Sequence, residues 1–295
     1  MRSLFVLAVV GLLAQLVDGS LGMAYGVTST TLLLTVGVSP ALASASVHIA
    51  EMGTTLVSGV SHWRFGNVDW QKILWMAIPG GVGAFLGALA VSYVAAELAE
   101  PFVAVFLFSL GVYILARFSL RRREKPVKVG AISGKFLGPL GLVAGFLDAV
   151  GGGGWGPIST PTLLSSGRME PRKVIGTVDT SEFVVAAAAS GGFLLALSFS
   201  EIPWGVTGAL LAGGVVAAPI AAWVVRILPM RILGTAVGGI ILLTNMRTFI
   251  NTIGVEGTAA LVIYAVIVVV WVSALVFSIL VNAEEKIAVG EGQTA

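Results

Sequence analysis

Apolar runs separated by short polar breaks organise the chain from end to end. They cover roughly 4–17, 22–36, 41–62, 72–95, 102–119, 136–148, 152–165, 174–199, 204–225, 230–249 and 257–281. About 20 apolar residues cross the hydrocarbon core of a bilayer as a helix. The seven runs beginning at 41, 72, 102, 174, 204, 230 and 257 are that long. The other four come as two pairs, 4–17 with 22–36 and 136–148 with 152–165. Each of their arms has about 14 residues, or ~21 Å of helix, short of the ~30 Å core. The pattern predicts an all-α polytopic membrane protein with two interrupted or re-entrant helical hairpins. The run behind Arg2 also resembles a cleaved leader, but no small-x-small site follows it.

The two pairs belong to a repeat. Offset by 130 residues, Asp18 falls on Asp148, Gly22 on Gly152, Tyr25 on Trp155, Gly26 on Gly156, Thr30 on Thr160 and Arg117 on Arg247. An offset of 131 places Pro40 on Pro171 and Glu51 on Glu182, and one of 134 places Trp70 on Trp204. Ordered matches of Asp, Glu, Pro, Trp and Arg are rare by chance. The expected organisation is a first transmembrane repeat (1–119), a basic linker (120–135), a second repeat (136–250) and a C-terminal transmembrane helix with its tail (251–295).

Charge decides how the repeats thread the membrane. If each short pair enters and returns on one side, each half has three further crossings and the second half is inverted. With the linker from Arg121 to Lys128 inside, the loops carrying Arg64, Lys72, Arg168, Arg172, Lys173, Arg226 and Arg231 are then inside as well. Loops carrying Glu97, Glu100, Glu201 and Glu256 are outside. If each pair were one broken crossing, the halves would be parallel, and Arg168, Arg172, Lys173, Arg226 and Arg231 would move outside. The positive-inside rule favours inverted repeats, a periplasmic N-terminus and a cytoplasmic linker. Inverted repeats with interrupted helices are a transporter architecture, and the interruptions point to the binding site.

Composition narrows the class. Charged residues make up 11% of the chain and hydrophobic ones 57%, against about 25% charge in soluble domains. This excludes a soluble globule, a disordered chain and a nucleic-acid binder. Cys 0 excludes a disulfide scaffold, and Gly 38 suits closely packed membrane helices. No phosphate-binding G-x-x-x-x-G-K-[ST] loop is present, so a gradient must supply any driving energy. Neither a G-x-S-x-G elbow nor an H-E-x-x-H pair occurs, and no enzymatic activity, cofactor or resident metal is expected.

The candidate chemistry lies at the breaks and just after them. The breaks read Asp18-Gly19-Ser20-Leu21-Gly22 and Asp148-Ala149-Val150-Gly151-Gly152-Gly153-Gly154. A helix starting after each break presents free N–H groups and a positive dipole end, an anion-binding device. The candidate substrate contacts are therefore Asp18, Gly19, Ser20, Gly22, Tyr25, Asp148, Gly151, Gly152, Gly153 and Trp155. Bulk at Gly22 or Gly152 is expected to occupy the ligand's place. The plainer alternative makes the glycines packing devices and the two Asp residues N-caps. His48 and Glu51 share a helix face, with Asp179 and Glu182 at the matching positions. They are candidates for proton coupling or a gate, or members of a structural polar network. Arg117 and Arg247 suit an anion contact or snorkelling to headgroups. His62, beside Trp63 and Arg64, reads as interfacial, as do Trp63, Trp70, Trp75 and Trp204.

Arg64-Phe65-Gly66-Asn67-Val68-Asp69-Trp70, the Gly151–Gly154 run and their degenerate repeats give the chain a resemblance to the sulfite exporter TauE/SafE family over essentially its whole length. Two elements depart from the family pattern: Gly22-Met23-Ala24-Tyr25-Gly26 stands where a glycine run is common, and Gly176-Thr177-Val178-Asp179 where a Gly-Thr-Ser-Leu-like element is. The resemblance implies a permease of the bacterial inner membrane for sulfite, sulfoacetate, related sulfonates or another small anion. The expected partners are that anion, membrane lipid, protons as coupling ion and a possible second copy of the chain. The alternative is a divalent-cation permease using Asp18, His48, Glu51, Asp148, Asp179 and Glu182 as ligands.

Overall fold

The computed structural model describes residues 2–120, 130, 132–166, 168–224, 230–252 and 254–292. Most of the linker therefore lies outside the described residues. Among the described residues the regular structure is all helical: α1 (Arg2–Leu21), α2 (Tyr25–Thr35), α3 (Pro40–Arg64), α4 (Trp70–Ser92), α5 (Ala96–Ser119), α6 (Gly134–Gly151), α7 (Trp155–Ser165), α8 (Pro171–Ala196), α9 (Trp204–Val224), α10 (Met230–Thr252) and α11 (Gly257–Gly292). Seven described helices are long and apolar enough to cross a membrane: α1, α4, α5, α6, α8, α9 and α11. The protein is a multi-pass protein of the cell membrane.

The number seven agrees with the sequence, but two members differ. The first arms were expected to stop near 17 and 148. Instead α1 has 20 residues and α6 has 18, because both continue through their Asp to a left-handed glycine. Gly22 (φ 66°) and Gly152 (φ 67°) cap them, each donating its N–H back to the Asp carbonyl of the last turn. In contrast, α3 has 25 residues but too many Ser, Thr and His to count as apolar.

The element order repeats, α1–α5 followed by α6–α10, and so do the packing partners. α4 lies along α6 as α9 lies along α1, and α4 meets α8 as α9 meets α3. α3 packs on α8, and α5 on α10. Glycines make these contacts close, as is usual between membrane helices. A Cβ on Gly83 would strike the α6 backbone at Leu142 and Phe146, and one on Gly213 the α1 backbone at Ala8 and Leu12. Trp155 fills the space over Gly80, and Thr54 with Tyr25 beside it that over Gly214. Each hairpin is thus seated on helices of the opposite half.

Two apolar cores result. One gathers α1 and α2 with Val103, Leu107 and Ile114 of α5, Leu210 of α9 and Ile241 of α10. The other gathers α6 and α7 with α4 and α8 around Trp155 and Phe193. Leu74, Ile78, Val82 and Leu86 form an exposed stripe on α4, at lipid-facing spacing. Trp63, Trp70, Trp75 and Trp204 are exposed at helix ends. α11 packs on α10 and α5, pinned by Trp271 Nε1 donating to the Thr235 carbonyl (3.2 Å) and by Thr235 to Ser278 (2.9 Å).

Candidate transport site

The two breaks meet because each hairpin is seated against helices of the opposite half. Each Asp sits in the last turn before its break and reaches across it. Asp18 Oδ1 accepts the Tyr25 N–H at 3.2 Å. Asp148 Oδ1 accepts those of Gly154 (2.6 Å) and Trp155 (2.9 Å). Both carboxylates therefore cap the helix on the far side. This corrects the expectation of free N–H groups there: the protein's own carboxylates already occupy these positive ends.

The two tips are locked together reciprocally. Thr30 Oγ1 donates to the Gly152 carbonyl, and Thr160 Oγ1 to the Gly22 carbonyl at 2.5 Å. Gly26 rests on Gly153, and Gly156 on Met23, backbone against backbone. A side chain at Gly22 would meet Ile175 and Thr160 at 3.1 Å, and one at Gly152 would strike Thr30. Bulk at these glycines therefore meets protein rather than ligand space, a second correction. Gly151 faces Phe106, and Gly19 faces Ala221. Ser20 is committed to the Leu16 carbonyl (2.6 Å). Tyr25 donates its hydroxyl to Leu210 (3.2 Å), and Trp155 its indole N–H to Val178 (3.1 Å).

The second carboxylate oxygens of Asp18 and Asp148 point away from the caps and into two triads. In the first, His48 Nε2 lies 3.0 Å from Asp148 Oδ2 and 4.0 Å from Glu51 Oε2. The expected His48–Glu51 pair is thus the weaker contact, and Asp148 is the partner. His48 Nδ1 faces the Ser44 carbonyl at 2.8 Å. Both ring nitrogens face acceptors, a setting that suits the imidazolium. The second triad uses the matching positions, Asp179, Asp18 and Glu182, each of which offers one carboxylate oxygen within 4.8 Å of those of the other two. All six side chains are at least 95% buried.

His62 is a third correction. It is fully buried, and its Nε2 lies 3.9 Å from Asp179 Oδ2. Asn67 Nδ2 faces its Nδ1 at 3.3 Å, which leaves Nδ1 as an acceptor and His62 as a neutral donor toward the carboxylates. Gln15 and Ser58 are buried beside the same place and, like His62 Nε2, have no well-formed hydrogen bond among the described residues. A periodic signal for this lay in the sequence. Ser44, His48, Glu51, Thr55, Ser58 and His62 recur at alternating spacings of four and three, one stripe of α3, and all are buried. Arg117 lies in the last turn of α5, partly exposed, whereas the triads draw on α1, α3, α6 and α8. Arg247 is in α10, and its side chain lies outside the described residues.

A duplicated helical membrane protein with buried acids at two crossed helix breaks belongs to the class of membrane transporters. The family model for the sulfite exporter TauE/SafE matches residues 7–248, and the chain belongs to that family. It is 50% identical over 283 residues to the probable membrane transporter protein YtnM of Bacillus subtilis, covering 94% of this chain and 93% of that protein. It is 26% identical over 221 residues to the probable membrane transporter protein YdhB of the same organism, covering 74% of this chain and 88% of that one. No solved structure matches the chain.

Proposed function

We propose that the protein is a secondary active transporter moving a small sulfur-containing or organic anion, such as sulfite or a sulfonate, across the cytoplasmic membrane together with protons. The observation that carries this reading is the pair of buried acidic triads where the two helix breaks cross. Charges at membrane depth are costly and are kept for transport pathways and proton relays. His48 and Glu51 are the proton-bearing pair. Groups facing Glu51 are His48 on its own helix, Asp148 of α6, Asp18 of α1, Tyr25 of α2, and Asp179 and Glu182 of α8. Among the described residues no Lys or Arg joins them, so an entering anion requires the cluster to carry protons or another cation. The repeats are inverted, with the N-terminus periplasmic, and the crossed tips are the fixed point about which the halves rock.

Purified protein in proteoliposomes tests the reading: uptake of sulfite, thiosulfate and sulfoacetate is followed with and without a pH gradient. Saturable uptake that responds to the gradient is expected; no flux of any of these anions refutes it. Single cysteines test the topology cleanly because the chain has Cys 0. A cysteine at 127 labelled by an impermeant reagent from outside would refute it, and one at 169 labelled from outside with 127 protected would restore parallel repeats. A divalent-cation permease is the second reading, favoured by one carboxylate oxygen each from Asp18, Asp179 and Glu182 gathered within 4.8 Å. Metal flux without anion flux would establish it.

A further inference from the structure

The same three positions of the repeat meet twice, and they differ in one residue. Asp148 and Glu51 close around His48; Asp18 and Glu182 close around Asp179. With every group ionised, the first triad carries one net negative charge and the second three. His48 is thus a cation fixed to the chain. Asp179 replaces it with another carboxylate in an equally dry place. His62 does not restore the balance, because Asn67 holds its Nδ1 as an acceptor. Two acids adjacent in a buried site cannot both stay ionised without a counter-charge.

Further observations point to a bound ion at this second triad. Asp18 Oδ2 and both oxygens of Asp179 are buried without a well-formed hydrogen bond among the described residues, although the two carboxyls approach each other and Ser58 Oγ approaches Asp179; both amide atoms of Gln15 are likewise buried and unpaired. Ser58 and Gln15 converge there: a Cβ placed on Gly19, next to Asp18, would lie 3.7 Å from Gln15 Nε2 and from Ser58 Oγ. α1 also ends three residues beyond Asp18, so the negative end of its dipole lies close to this carboxylate and adds to the need for a counter-charge. Carboxylate, hydroxyl and amide oxygens are hard donors and suit a hard cation rather than a soft one.

We propose that Asp18, Asp179 and Glu182 bind a sodium ion that takes part in the transport cycle, and that His48 is its covalently attached counterpart in the other half. The inference deepens the transporter reading by naming a second coupling ion. The site is fixed in position by the reciprocal lock of the tips, and Glu182, 5% exposed, is its least buried member.

The test begins with binding alone, in the absence of any anion. Thermal unfolding of the purified wild-type protein is compared in NaCl and in choline chloride at equal ionic strength. A sodium-specific rise in Tm of roughly 5 °C is expected at saturation. Asp179→His supplies to the second triad what His48 supplies to the first, and should abolish the sodium response in an unaltered fold. If that variant is not monodisperse, Glu182→Gln serves in its place and should weaken the sodium response at least tenfold in concentration. A wild-type Tm that is the same in sodium and choline overturns the proposal, as does a sodium response that survives both variants. A response to manganese or calcium but not to sodium also overturns it, in favour of the permease for divalent cations. Anion flux measured separately keeps the two readings apart. Flux without a sodium response removes only the sodium site; a sodium response without flux of any anion removes only the anion reading.

Discussion

α3 and α8 occupy matching places and face each other, yet their inward stripes have different chemistry. On α3 the stripe is Ser44, His48, Glu51, Thr55, Ser58 and His62; at the same register α8 has Ile175, Asp179, Glu182, Ala186, Ala189 and Phe193. Both stripes are buried along their whole length. Burial therefore does not distinguish them. Only the two positions nearest the breaks are ionisable on both helices, and these form the triads. The two frames match, but one carries polar side chains along about five turns, while the other is apolar outside Asp179 and Glu182. The lesson concerns where function sits: the frame is symmetric, but the charge it holds is not.

The comparison breaks most completely at the tips. Gly153 has φ 153°, and a Cβ there would strike Gly26 and Val27. Gly153→Ala should fail to give monodisperse protein in detergent. At Gly22 the neighbours are 3.1 Å away, so Gly22→Ala should fold with a loss of about 1–2 kcal/mol from its positive φ. Equal outcomes for the two variants would mean that the lock is not where the structure puts it.

Next in size are the matched acids. Glu51→Gln keeps the shape and removes one proton site beside His48. Uptake should fall about tenfold and lose its dependence on the pH gradient, while counterflow exchange persists. Glu182→Gln should lower uptake but leave its pH profile in place. A Glu51→Gln profile identical to wild type would remove the proton role.

A smaller effect tests the stripe itself. His62→Phe gives α3 the residue that α8 carries at Phe193. It removes the acceptor of the buried Asn67 amide (3.3 Å), so Tm should fall by about 2–4 °C. Uptake should fall roughly three- to tenfold, more than so small a loss of stability explains, if His62 faces the transport site. Unchanged uptake would mean that His62 serves packing alone.

The smallest effect lies outside the membrane. Asp69 caps α4, accepting from the Lys72 N–H at 3.3 Å and pairing with the Lys72 ammonium, whereas Pro203 precedes α9. Burial alone would raise the Asp69 carboxyl, but the hydrogen bonds and charge of Lys72 outweigh it and hold it below the usual carboxylate range. A lowered folded pKa means that the carboxylate stabilises above the unfolded value of about 3.9. That contribution is lost as pH falls through the folded value. Asp69→Ala should cost about 1 kcal/mol at pH 7 and less below pH 4. A stability difference independent of pH would show that the cap acts without its charge.

Much of this was legible in the sequence because it is local or periodic. The breaks, the duplication and the apolar runs depend on residues close in the chain or at constant offset. The ends of α1 and α6 differ from the sequence reading because a charged Asp (Asp18, Asp148) interrupts or ends each apolar run, whereas each helix runs on until a left-handed glycine closes it. His62 was misread because Trp63 and Arg64 beside it suggest a membrane surface; the stripe back to Ser44 carries the better information. The triads were only half visible. Matching offsets identify equivalent residues, but His48 meets Asp148 across 100 positions, and no spacing rule reports which equivalent crosses to which.

The lock between the tips also has a consequence for biosynthesis. When the first half leaves the ribosome, the Gly22 carbonyl has no Thr160, α1 has no α9, and Asp18 has no Asp179. The half must wait in the lipid with its break open until about as many residues again have been inserted. Chaperone dependence and proteolysis should therefore concentrate on nascent chains that end before α9. For the same reason, the two halves made as separate polypeptides should accumulate only when both are present in one membrane.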